Sequence, residues 1–144
     1  MMEADDIIDQ LGLKAHPEGG WYLETFTGNS PAGSRGEVSV IYFLLKEGET
    51  AHWHRIRDAD EVWSWHAGSV LSLYVREGDG PVQTHRLGMD IAKGQRPQLI
   101  IPRGAWQAAS SQSGWVLASN IVAPAFDFRT LELAPAGFEP GFGI

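Results

Sequence analysis

The stretch GETAHWHRIRDADEVWSWHAG, residues 48–68, carries the side chains that decide the predicted fold and site. Side chains on a β-strand alternate between its two faces, so His52 and His54 are expected to point the same way, with Trp53 opposite. The polar residues between His54 and Glu61 predict a turn that brings the carboxylate back beside the imidazoles. Two imidazoles and a carboxylate suit Zn, Fe, Ni or Mn, so this stretch predicts a divalent-metal site.

The neighbouring tryptophans favour an enclosed site. Two histidines at this spacing are also typical of the solvent-facing side of an ordinary strand, but Trp53, Trp63 and Trp65 put large apolar rings along both segments. Glu61, Trp63 and Trp65 have the same parity in the sequence. If the histidines face inward, the two later indoles are therefore expected to line the pocket and to contact substrate.

Length and composition indicate one β-rich domain over residues 1–144. With 17 glycines, 8 prolines and only short apolar runs, the chain predicts about ten short strands joined by tight turns, as in a sandwich or barrel. Residues 4–11 predict one short helix, which begins with two aspartates and stops at Gly12.

Several classes of protein are excluded by charge and hydropathy. The longest apolar run, residues 40–45, is far shorter than the roughly 20 residues needed to span a bilayer, which predicts a soluble protein with no membrane partner. The acidic start lacks the pattern of a signal peptide, so a cytoplasmic location is expected. A net charge of -7 without a basic stripe argues against nucleic acid, and the absence of cysteine excludes thiolate chemistry. A small molecule is the expected partner.

The segment HPEGGWYLETF, residues 16–26, predicts a turn followed by a strand. Its Glu18 is interpreted as capping backbone amides, with contact to substrate as the alternative. His66 and His85 are interpreted as exposed strand residues because of their positions and polar neighbours.

Two segments resemble the signature motifs of the cupin superfamily: G-x3-H-x-H-x6-E-x6-G over residues 48–68 and G-x7-P-x-G-x2-Q over residues 94–107. The blocks HPEGGWY, DEVW with a following HAG, IPRGAWQAA and APAFDF together resemble the cupin-five group, a family of domains of unknown function. This resemblance implies an all-β fold, a double-stranded β-helix forming a cupin jelly-roll barrel, with a short N-terminal helix.

The resemblance also implies a ligand set for one divalent metal (Zn, Ni, Mn or Fe) and no organic cofactor. His52, His54 and Glu61 match the first three ligands, and Gln107 stands where the family usually has a further histidine. An amide oxygen is a poorer transition-metal ligand than imidazole, so Gln107 is also a candidate for contact with substrate. The gap before the glutamate is longer than usual, which leaves two alternative carboxylates, Asp58 and Asp60.

Three functions are compatible with these residues. The first is a metal-dependent isomerase, lyase or dioxygenase that acts on a sugar-like, carboxylic or aromatic small molecule. In it His54 and Glu61 are catalytic, and Tyr42 is a candidate proton donor, with Tyr74 as the alternative. The second is a metal-free enzyme of the sugar-epimerase type, in which a histidine oriented by Glu61 is the base. The third is a barrel that binds a ligand without catalysis.

A homodimer is expected as well, because a small barrel has edge strands that need cover and twofold dimers are the commonest solution. Residues 20–26 are the candidate strand for contact with the partner.

Overall fold

The computed structural model describes residues 2–28 and 35–135, and within them it contains one α-helix and eleven β-strands. The predicted all-β fold with a short N-terminal helix is confirmed. In chain order the elements are α1 (Ala4–Leu11), β1 (Lys14–Ala15), β2 (Trp21–Thr27), β3 (Ser39–Leu45), β4 (Thr50–Ile56), β5 (Asp60–Gly68), β6 (Leu71–Arg76), β7 (Gln83–Leu87), β8 (Gln98–Ile101), β9 (Trp106–Ser110), β10 (Val116–Ala123) and β11 (Leu131–Leu133).

The strands form two antiparallel sheets. One has the order β1-β2-β3-β10-β5-β8 and the other β11-β4-β9-β6-β7. Neighbouring strands are often far apart in the sequence, as with β3 beside β10 and β4 beside β9. This pairing of strands that are distant in the sequence is typical of a jelly roll.

Helix α1 covers the outer face of the first sheet. It begins at a capping box in which Glu3 and Asp6 bond each other's backbone amides, and it ends at Gly12 in the left-handed conformation with φ 70°. Its apolar face, with Ile7 buried, packs over Leu44 of β3. Among the described residues, no helix is long and apolar enough to cross a membrane.

Apolar side chains fill one end of the barrel interior. Phe43 on β3, Trp63 on β5 and Ala118 on β10 belong to the main buried cluster. Further along the same three strands, toward the other end, Ile41, Glu61 and Asn120 line a cavity instead. The packing of the aromatic end therefore fixes where the cavity begins.

A β-bulge in β4 decides which histidine faces the interior. Ala51 pairs with Ala109 and His54 pairs with Gln107, so two residues of β4, His52 and Trp53, oppose a single residue of β9. The extra residue reverses the alternation, and His54 faces the cavity while His52 lies outside it. The expectation that the two imidazoles share a face is wrong for this reason. Nε2 of His52 lies 2.9 Å from the carbonyl oxygen of Ala134 instead.

Candidate functional site

The candidate site is a cavity of about 330 Å³ at the open end of the barrel. This volume is at the small end of the range for ligand pockets. Its walls combine apolar and aromatic side chains with a buried group of histidines, carboxylates and one amide. The lining residues are Lys14, His16, Glu18, Tyr22, Leu23, Glu24, Ser39, Ile41, His54, Ile56, Glu61, Asn120, Val122, Phe126 and Phe128.

His54 lies at the centre of the polar group, with 2% of its surface exposed. Its Nδ1 is 2.7 Å from the carbonyl oxygen of His52, which can only accept, so Nδ1 carries a proton and donates it. Its Nε2 is 3.0 Å from Oε2 of Glu18. One further proton is therefore shared between the Nε2 atom of His54 and the carboxyl group of Glu18.

The loop that carries Glu18 is held tightly against β4. The backbone amide of His52 donates to the carbonyl oxygen of Glu18 at 2.6 Å. Gly19 has φ +106°, and a Cβ atom there would lie 2.3 Å from the carbonyl oxygen of Thr50. Glycine at this position lets the loop approach β4 closely enough for the Glu18 carboxylate to reach His54.

His16 completes the acid–base group from the same loop. The backbone amide of Glu18 donates to Nδ1 of His16 at 3.1 Å, so the ring proton of neutral His16 is on Nε2. Burial lowers the pKa of His16, although Glu18 opposes this. His16 is therefore a neutral imidazole at the cavity wall, with its Nδ1 already occupied.

Glu61 is buried and accepts two amide hydrogen bonds. Nε2 of Gln107 donates to Oε1 at 2.6 Å, and Nδ2 of Asn120 donates to Oε2 at 2.9 Å. The indole N–H of Trp63 donates to Oε1 of Gln107 at 3.0 Å, which fixes the orientation of that side-chain amide. Burial raises the pKa of Glu61 to about 7, despite the opposing effects of His54 and of the two amides.

The charge on His54 follows from its neighbours. Burial by itself lowers the pKa of His54, but the carboxylates of Glu18 and Glu61 outweigh burial and raise the pKa to about 9. The same ion pair lowers the pKa of Glu18 against the effect of burial. At neutral pH the structure therefore holds an imidazolium against a carboxylate, with Glu61 near the midpoint of its titration.

Of the residues expected at the site, the structure brings His54 and Glu61 to the cavity. Gln107 lies just behind it, 1% exposed, as the link between Trp63 and Glu61. Trp63 and Trp65 pack in or against the apolar core and do not line the cavity. The aromatic rings that do line the cavity are those of Tyr22, Phe126 and Phe128.

The other side chains expected at the site lie outside the cavity. Tyr42 is on the outer face of β3, where it packs in the cluster under α1, so it cannot donate a proton inside the barrel without rearrangement. Asp60 pairs with Arg103 and Asp58 with Arg35, so neither replaces Glu61 in the cavity.

Residues that sequence reasoning missed are His16 as a site residue and Glu18 as the partner of His54. The block HPEGG pointed to the loop, but not to its contact with β4.

The side chains do not fit the expected metal centre. Within the described part of the chain, no group of three or more His, Cys, Asp or Glu side chains is arranged to hold a metal ion. Both oxygens of Glu61 face amide N–H groups, which are donors and would repel a cation. His52 points away, and His54 has one nitrogen on a carbonyl oxygen and the other on Glu18.

Two antiparallel sheets around a cavity with a polar end define the class of protein as a cupin-type jelly roll. The chain belongs to the family described as Cupin superfamily (DUF985), whose model matches residues 5–134.

Three relatives match this chain over most of their length, two of them in solved structures. The crystal structure of protein SO0799 from Shewanella oneidensis is 41% identical with a TM-score of 0.87, covering 92% of this chain and 85% of that one. A hypothetical protein from Leishmania major is 31% identical with a TM-score of 0.81, covering 91% and 86%. The uncharacterized protein YML079W of Saccharomyces cerevisiae is 25% identical over 146 residues, 85% of this chain and 71% of the yeast protein.

Bacillus subtilis oxalate decarboxylase shares the fold alone. One of its structures is 14% identical with a TM-score of 0.64, and the match covers 83% of this chain but only 29% of that enzyme. Another structure of this enzyme concerns its Mn(II) centres. A metal is therefore known in this fold.

Proposed function

We propose that this cupin is an acid–base enzyme of the isomerase or epimerase type, in which its own side chains move protons on a small sugar-like carbonyl compound. The observation that carries the proposal is the hydrogen-bonded pair of His54 and Glu18 next to Glu61 on the wall of one cavity. No metal is needed for this chemistry, and the donor arrangement described above favours the metal-free alternative.

The His54–Glu18 pair is suited to storing and returning a proton. Because Nδ1 of His54 is committed to the carbonyl oxygen of His52, a proton can move only between Nε2, the Glu18 carboxyl group and a bound substrate. A carboxyl group that is half ionised near neutral pH, as with Glu61, serves equally as acid and as base. Epimerisation needs two such groups, one to remove a proton and one to supply a proton.

The rest of the cavity suits a ring with polar edges. Tyr22, Phe126 and Phe128 supply flat apolar faces, while His16 offers a neutral imidazole that can polarise a carbonyl oxygen. A cavity of about 330 Å³ has room for a molecule of monosaccharide size. These features support a sugar-like substrate over a long or highly charged one.

The test is hydrogen exchange in D2O. The protein is incubated with a panel of aldoses, ketoses and hydroxy acids, with EDTA and separately with added Mn or Zn, and proton NMR follows the C–H signal next to the carbonyl. We expect exchange that EDTA leaves unchanged and that Glu61→Gln and His54→Asn each reduce at least about 100-fold. Glu132→Gln, at a partly exposed ion pair with Arg55, is the matched control and should keep full activity.

Two results would contradict the proposal. Exchange that appears only with added metal would favour the metal-dependent enzyme. A compound that raises the melting temperature, but whose C–H group never exchanges, would favour a non-catalytic binding barrel.

We also propose that the protein is a homodimer formed through the outer face of the six-stranded sheet. Strand register places five apolar side chains in one row across β2, β3, β10, β5 and β8: Phe26, Val40, Ile121, Val62 and Ile100. Phe26 and Ile100, at the two ends, are 56% and 58% exposed. Five strands about 4.8 Å apart make the row about 19 Å long.

A second copy is the occupant that fits this row. The row is uncharged on a chain of net charge -7, so it is a place where two copies can meet without placing like charges in the contact. Hydroxyl and amide side chains border it on one side, as at the rim of a protein interface: Ser119, Ser64 and Gln98. The row includes Phe26, from the strand that the sequence suggested for contact with the partner.

A further inference from the structure

The polar end of the cavity contains a buried acceptor that has no donor. Asn120 lies on β10, between Ile41 of β3 and Trp63 of β5, and is 2% exposed. Its Nδ2 atom donates to Glu61, but its Oδ1 atom accepts no hydrogen bond from the described residues. Buried side-chain oxygens are almost always paired in native proteins, so an unpaired one in a residue that lines a cavity indicates a partner from outside the chain, which Oδ1 can meet once the Asn120 side chain turns slightly toward the cavity.

The directions of the hydrogen bonds around Glu61 determine that the unpaired atom of the Asn120 side chain is its oxygen, an acceptor. The indole N–H of Trp63 can only donate, which makes Oε1 of Gln107 the acceptor and turns the Gln107 NH2 group toward Glu61. Glu61 in its carboxylate form has no proton to donate, so it accepts from Gln107 on one oxygen and from the NH2 group of Asn120 on the other. The atom of Asn120 left over is the carbonyl oxygen.

The charges nearby favour a neutral donor. His54 and Glu18 neutralise each other, and each oxygen of Glu61 already accepts one amide hydrogen bond. An ammonium group would need an unshared carboxylate to balance its charge after leaving water. A hydroxyl group brings the required O–H without a charge.

We propose that Asn120 is a specificity-determining residue whose Oδ1 atom accepts a hydrogen bond from a hydroxyl group of the ligand, so that the cavity selects hydroxylated molecules over their deoxy or methyl counterparts. This inference rests on the proposed function in that it takes the same cavity as the ligand site. It adds that the ligand group at the polar end is an alcohol. A site built to bond a hydroxyl group rejects an analogue without one, because the buried acceptor is then left unpaired.

The test uses phenol and toluene as probes, which have nearly the same shape and differ in a hydroxyl and a methyl group. Dissociation constants are measured by NMR titration for the wild type, for Asn120→Leu, and for Gln83→Leu, which removes an exposed amide on β7 outside the cavity. We expect the wild type and Gln83→Leu to bind phenol about tenfold more tightly than toluene. Asn120→Leu should reduce that ratio to below about twofold, with toluene binding nearly unchanged.

A second measurement does not depend on the variant being folded. In the wild type, phenol should shift the side-chain amide signals of Asn120 in a 15N-labelled sample, and toluene should leave them in place. Equal affinity for the two probes, no binding of either, or a preference that survives in Asn120→Leu would overturn the inference. None of these measurements requires turnover. They can therefore refute the role of Asn120 independently of whether the proposed acid–base activity is found.

Discussion

Replacing Glu18 by glutamine removes the negative partner of a buried imidazolium and should change stability in a pH-dependent way. The side chains of His54 and Glu18 are 3% and 10% exposed, so water cannot replace the lost carboxylate effectively. The effect should therefore be far larger than that of breaking an ion pair at the surface.

The magnitude follows from the pKa of His54. Glu18 and Glu61 raise that pKa from 6.5 to about 9, which corresponds to about 3 kcal/mol of stability for the protonated folded protein. Because the folded-state pKa is the higher one, this contribution is fully present below about pH 6.5 and is lost as the pH rises to about 9. Most of it should be absent at every pH in Glu18→Gln.

The assay is urea unfolding of the wild type and Glu18→Gln at pH 6, 7.5 and 9. We expect Glu18→Gln to be about 3 kcal/mol less stable at pH 6, or roughly 6–12 °C in melting temperature, with the difference shrinking toward zero at pH 9. Glu132→Gln makes the same chemical change at a partly exposed pair, and it should cost less than about 1 kcal/mol with little dependence on pH.

A loss of stability that is equal at pH 6 and pH 9 would refute this reasoning, because it would mean that Glu18 acts by packing alone. A loss no larger than that of Glu132→Gln would also refute it.

Other predictions test metal binding, the dimer interface and the fold. Tenfold molar excess of Zn, Ni, Mn or Fe(II) should leave the melting temperature within about 1 °C, whereas a tightly bound native-state metal would raise it by several degrees. Ile100→Glu should convert the proposed dimer to a monomer in light scattering, while Ile91→Glu, a half-exposed control outside the row, should not. A monomeric wild type would rule out the interface.

Gly19→Ala should lower the free energy of unfolding in urea by about 1–3 kcal/mol. Gly48 also has a positive φ but has open space at the Cβ position, so Gly48→Ala should lower it by less. Equal losses would mean that the close approach of the loop to β4 is unimportant. Gln107→Leu should cost about 1–3 kcal/mol because it leaves two buried polar groups unpaired, and an unchanged melting temperature would contradict that.

The fold was predictable from local patterns, whereas the composition of the site was predictable only in part. Turn glycines, short alternating strands and the two spaced motifs pointed to the jelly roll and placed Glu61 inward. The prediction that His52 shares a face with His54 was wrong because a bulge in β4 inserts one residue between Ala51 and His54. No glycine or proline marks this bulge in the sequence.

The alternation of side chains also does not show how far along a strand the packed core ends and the cavity begins. Parity correctly put Trp63 on the same face as Glu61, but two residues advance a strand by about 6.6 Å. This distance separates the cavity from the packed core. Parity within residues 40–45 was also undetermined, because both faces of β3 are covered by apolar side chains and every position there is apolar. The sequence therefore did not determine which face of β3 carries Tyr42.

The contribution of Glu18 could not be derived from spacing. It lies 36 positions before His54, and the two meet only because the loop packs against β4 through the carbonyl oxygen of Glu18. Gly19 and Gly20 predicted a turn, but a turn does not specify what it contacts. Long-range contacts of this kind depend on the assembled sheets.

The most direct test of the acid–base site is the protonation state of His54, measured by 15N NMR of histidine-labelled protein from pH 5 to 10. A doubly protonated imidazole that persists past pH 8, and that titrates well below that in Glu18→Gln, is the predicted result. An imidazole that loses its proton near pH 6.5, as an ordinary solvent-exposed histidine does, would contradict the account.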